Sequence, residues 1–131
     1  MGLFGKKNEI GTTYTVPDKP PFDPSLPRDF QPHYVWVWVE GVVREVHGTH
    51  ITTERFTELV EGIVYETEEL FVQRMLPTCE LEKQQEYSDL AKSGISNADG
   101  YRWIARNIPD SSKYAADIMG AVRSSLLRPS H

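Results

Sequence analysis

Pro17, Pro20, Pro21, Pro24, Pro27 and Pro32 fall within sixteen positions. Each proline fixes φ, removes an amide donor and pushes the residue before it toward extended geometry. Residues 1–33 therefore read as an extended, Pro-rich arm with turns, excluded from being a helix or a central strand. Its charges cancel, with Lys6, Lys7, Lys19 and Arg28 against Glu9, Asp18, Asp23 and Asp29. Tyr14, Val16, Phe22, Leu26 and Phe30 are spaced through it like anchors, and a disordered tail is poorer in aromatics than this. Three readings of the arm stay open: it wraps its own domain, it lies on a neighbouring subunit, or Pro24-Ser25-Leu26-Pro27 serves a proline-binding module.

Directly after the arm comes Tyr34-Val35-Trp36-Val37-Trp38-Val39, which carries two of the three tryptophans and alternates aromatic with β-branched types. In a strand this places Tyr34, Trp36 and Trp38 on one face and three valines on the other. Both faces are then apolar, so one needs a cover from the rest of the fold or from another chain. Glu40-Gly41 breaks the strand, Val42 to Val46 resumes it, and His47-Gly48-Thr49-His50 is a second turn before Ile51. Residues 34–51 are thus expected to form a β-hairpin or short meander.

The pattern changes to a helical period at residue 52. Phe56, Leu59, Val60, Ile63, Val64, Leu70, Phe71 and Met75 keep the i, i+3, i+4 spacing, with Thr52 or Thr53 as N-cap and Pro77 as the stop. On the opposite face the spacing puts Glu54, Glu58, Glu61, Glu68 and Glu69, and Gly62 marks a close contact. Thr78 can cap a second helix to about Lys92 with Leu81, Tyr87, Leu90 and Ala91 as a thin stripe. Ser96 or Asn97 opens a third, carrying Tyr101, Trp103, Ile104 and Ile108. The last is capped by Asp110 or Ser111, with Ala115, Ile118, Met119, Val122 and Leu126 on one side. The expected class is α+β: an extended arm over 1–33, then one α+β domain over 34–131, with three to four helices packed on the hairpin.

A chain of 131 residues with net charge −5 lacks the basic footprint of a nucleic-acid binder. Its apolar runs fall short of a membrane span, no signal-peptide pattern opens it, and Lys6 stands where a myristoylation motif wants Ser or Thr. The lone Cys79 has no intramolecular disulfide partner, so a reducing compartment, cytoplasmic or within a virion, is expected.

Chemistry has few carriers. His47 and His50 are the one local pair able to converge on a metal, and a small metal-dependent hydrolase would need a third ligand from His33, Cys79 or a carboxylate. No H-E-x-x-H, C-x-x-C, phosphate loop or nucleophile elbow accompanies them. Cys79 at a helix start has the dipole a nucleophile uses and no visible base. Residues 52–93 hold ten acids against four bases, which read either as solvated helix faces or as an acidic inhibitor mimicking nucleic acid. The reading that uses most of the chain is a non-catalytic assembly subunit or adaptor without metal or cofactor, in a virion or other large complex. It binds protein partners or copies of itself through Tyr14, Phe22, Phe30, Tyr34, Trp36 and Trp38.

Overall fold

The computed structural model describes residues 19–128, and Tyr14 with the front of the arm lies outside them. The described residues form five α-helices and no strand: α1 Pro32–His47, α2 Thr53–Met75, α3 Leu81–Lys92, α4 Asn97–Asn107 and α5 Ser111–Leu127, with a short 3₁₀ turn, Leu76–Thr78, between α2 and α3. The α+β expectation is therefore corrected to all-helical. The hairpin or meander expected over 34–51 is instead α1 and the loop after it.

The reason lies in the wider pattern. Val35, Trp36, Val39, Val42 and Val43 are buried, at the helical spacing i, i+1, i+4, i+7, i+8. A window of six residues shows alternation, and twelve show the 3.6 period. Pro32 sits at the first helical position, where its missing amide costs nothing. Gly41 is not a turn residue: it lies inside α1 on its exposed side, where an added Cβ would meet nothing within 4 Å. The helix ends at Gly48, whose φ of 67° is in the left-handed region and whose N–H donates to the Arg44 carbonyl.

The other helices keep their expected places. Thr52 caps α2, its side chain accepting from the Arg55 N–H at 3.1 Å. Ser96 caps α4 in the same way through the Asp99 N–H at 3.2 Å. For α3 the cap is Glu80 rather than Thr78, whose hydroxyl donates back to the Met75 carbonyl at 2.6 Å. Asp110 precedes α5 with φ 60° and makes no side-chain cap. Gly62 marks no close approach, since nothing lies within 4 Å of an added Cβ.

At 23 residues α2 is the long axis of the fold, about 35 Å by helical rise, with α1 and α5 packed along it and α4 bridging to α1, α3 and α5. Into this bundle the proline segment drives Phe30, which is fully buried with its ring 4.8 Å from Tyr101 and 5.4 Å from Phe71. Leu26 is buried beside it. Two tight turns carry the chain there, closed by Leu26 N–H to the Asp23 carbonyl and Phe30 N–H to the Pro27 carbonyl, each 3.2 Å. Gln31, fully buried, stitches both: its amide donates to the Asp23 and Pro27 carbonyls at 3.1 Å and its oxygen accepts from the Asp23 N–H at 2.8 Å.

Gly41→Ala separates helix from hairpin. In an exposed helix interior the change stabilises by about 0.5–1 kcal/mol, read as a higher urea midpoint. In a hairpin turn it would lower that midpoint.

Candidate functional site

The residues expected to bind partners divide by face. Phe30 lies in the core, and so does Trp36 at 8% exposure. Phe22 and Tyr34 lie toward solvent, 51% and 39% exposed, and Trp38 is half-buried at the edge of the core. Val37, which the strand reading placed with Val35 and Val39 on the face opposite the rings, joins them at 43%. On α1, Tyr34, Val37, Trp38 and Gly41 follow i, i+3, i+4, i+7, so they form a second apolar stripe beside the buried one. Phe22 extends this surface, its ring edge-on to His33 at 6.0 Å. His33 in turn donates from Nδ1 to the Pro20 carbonyl at 2.8 Å, which sets that tautomer.

Beside the stripe runs α5. Tyr34 and Trp38 share a groove of about 180 Å³ with Ala116, Met119 and Gly120. Its ends are polar: Ser112 donates to Asp29 at 2.8 Å, and Arg123 Nε donates to Glu45 at 2.9 Å. The Glu45 carboxylate raises the Arg123 guanidinium further above its usual range. These two contacts also show that α1 and α5 run in the same direction. The groove offers rings, methyl groups and one ion pair.

A second cluster is buried. Glu68 was expected on the solvent face of α2, and this too is corrected. It lies in line with Val60, Val64, Phe71 and Met75, at 6% exposure. The hydroxyl of Tyr101 donates to its carboxylate at 2.8 Å. Burial pushes the Glu68 carboxyl up to about 8, against the lowering by Tyr101, and Glu69 adds to the rise. Burial raises Tyr101 as well, as it does Tyr87 with help from Glu69 and Glu68. One oxygen of Glu69 is buried without a hydrogen-bond partner among the described residues. A carboxyl tuned this way is an acid at neutral pH, but the aromatic core walls it off from any substrate.

The remaining candidates stay apart. His47 is in the last turn of α1 and His50 in the loop beyond, both exposed. No group of three or more His, Cys, Asp and Glu able to hold a metal lies together among the described residues. Cys79 is half-buried where the 3₁₀ turn ends. Of the ten acids, Glu68 is inside, Glu61 and Glu69 are half-buried, and Glu58 and Glu86 pair with Arg55 and Lys83. Glu86 also accepts from the Trp103 indole at 2.6 Å. No helix among the described residues is long and apolar enough to cross a membrane.

Comparison of the chain with models of protein families, with curated proteins and with solved structures found no match.

The buried acid has a pH signature. Folded Glu68 holds its proton up to about pH 8, while the unfolded chain releases it near 4.5. Between these values the folded state binds the extra proton, so stability falls as pH rises from 4.5 to 8 and levels off above. At about 1.4 kcal/mol per pH unit the loss from this group is at most about 5 kcal/mol. In Glu68→Gln that slope is expected to vanish, with a higher melting temperature than the parent at pH 8 and little difference at pH 4.5. Parallel melting curves for the two proteins across this range would refute the assignment.

Proposed function

We propose that this chain is a non-catalytic assembly subunit or adaptor, and that it docks protein chains on the outward face of α1 and α5. One observation carries the reading: α1 is apolar on two flanks, and its own domain covers one of them. Val35, Val39 and Val43 are sealed inside, while Tyr34 and Val37 meet solvent beside an open groove that the half-buried Trp38 also lines. A helix apolar nearly all round is ordinarily buried on all sides, and contiguous exposed apolar surface rimmed by polar groups marks an interaction site. Aromatic residues that bring area with little rotamer loss are what such interfaces favour. A part in a large particle such as a virion, or in a cytoplasmic complex, suits a small helical subunit of this kind.

The face is tested by a photo-crosslinking amino acid at position 37, in the full chain produced in its native cells, with position 92 on the exposed end of α3 as control. A discrete protein adduct is expected at 37 and not at 92. Tyr34→Asp is expected to cut its yield at least tenfold while leaving the far-UV circular dichroism unchanged. Equal, diffuse labelling at both positions would overturn the reading.

A further inference from the structure

The groove between α1 and α5 has two unlike walls. On the α1 side are the large rings of Tyr34, which is exposed, and Trp38, which is half-buried, forming the ridge of the face; on the α5 side are the small residues Ala116 and Gly120, its furrow, with open space over Gly120. The two are neighbours on one surface, and the rings leave about 180 Å³ of the groove unfilled. Such a surface fits a copy of itself. Rotate a second chain by 180° about an axis lying in the face, parallel to the helices and midway between them. Its α1 then lies over the first chain's α5, pointing the same way, and each ridge enters the opposite furrow.

Charge follows the same operation. Because α1 and α5 run in the same direction, Glu45 of one copy comes over Arg123 of the other, at both ends of the exchange. Asp29 comes over the start of α5, where the helix dipole favours an anion and where Ser112 already donates to it within one chain. Size fits too. Two helices of 16 and 17 residues present about 24 Å by 20 Å, roughly 500 Å² in projection. Counted on both copies this is about 1,000 Å² in total, the size of a weak, concentration-dependent association.

We propose that this face binds a second copy of the chain in a two-fold dimer, each protomer laying Tyr34 and Trp38 into the Ala116–Gly120 furrow of the other. The inference rests on the docking reading above and adds the identity of the occupant. Sedimentation equilibrium of the purified full chain, from about 1 µM to several hundred µM, is expected to show a rise from 15.0 kDa to twice that mass. Gly120→Leu, at a helical position where an added Cβ meets nothing within 4 Å, is expected to weaken the dimer at least tenfold while leaving the far-UV circular dichroism unchanged. Glu45→Arg and Arg123→Glu should each weaken it alone, and mixing the two variants should restore it, because every facing pair is then opposite in charge. A chain that stays at 15.0 kDa throughout overturns the dimer, as does a dimer indifferent to Gly120→Leu and to the charge pair. If a monomeric chain still gives the adduct at position 37, the docking face stands with a different occupant. If neither dimer nor adduct forms, both readings fall.

Discussion

The ring of Phe30 is wedged between Tyr101 of α4 and Phe71 of α2, with no surface left to solvent. Most of the architecture follows from that contact. It turns the proline segment from a tail into part of the core, and the two turns before it have to hold their shape for the ring to arrive. Gln31 supplies the shape by closing three hydrogen bonds to that segment's backbone. Having spent its side chain there, it gives α1 no cap, and Pro32 compensates by removing one of the amides that would need one. Arg102 fastens the outer edge, its guanidinium reaching Ser25 Oγ at 3.0 Å from α4. The ordering entropy of a dozen residues is large, of order 1–2 kcal/mol each, and prolines lower it by restricting the unfolded chain.

The same aromatic cluster accounts for the acid in the core. Tyr101 is fully buried, and a buried phenol needs an acceptor for its proton. Glu68 provides it from the facing helix. A neutral carboxyl at this place satisfies the phenol and keeps a donor of its own. An ionised one carries the cost of a desolvated charge, with Glu69 next to it. Stability and net charge are thereby tied through one residue, and the acidic face of α2 is narrower than its composition implies.

Much of the helical half could be read along the chain. Thr52 and Ser96 fell where caps are expected, Pro77 and Pro109 where helices stop, and the spacing of Val60, Val64 and Phe71 named the inner face of α2. Glu68 was legible by the same spacing, eight residues after Val60 and three before Phe71; its charge, not its position, argued it outside. Leu81, expected on the α3 stripe, is 81% exposed, because α3 meets the bundle mainly through Tyr87. The proposed docking face was half visible. Tyr34 and Trp38 stood out as large rings and Val37 as one of three valines on an apolar face, whereas the furrow on α5 had no local signature, since Ala116 and Gly120 lie about 80 residues further along.

Local chemistry settled where backbone donors are missing, where helices can begin and end, and which positions want to leave water, because proline geometry, side-chain caps and periodic apolarity act over a few residues. For residues 34–51 it pointed to a β-hairpin or short meander and was overturned, since β-branched and aromatic types satisfy a strand and a well-packed helix alike. Contact with α2 decided it: a helix puts Val35, Val39, Val42 and Val43 on one side, where a strand would send Val42 and Val43 to opposite faces. That choice moved Trp36 inward, turned Tyr34 and Val37 outward and left Trp38 half-buried beside them. A face made by two helices from opposite ends of the chain exists only once they are packed.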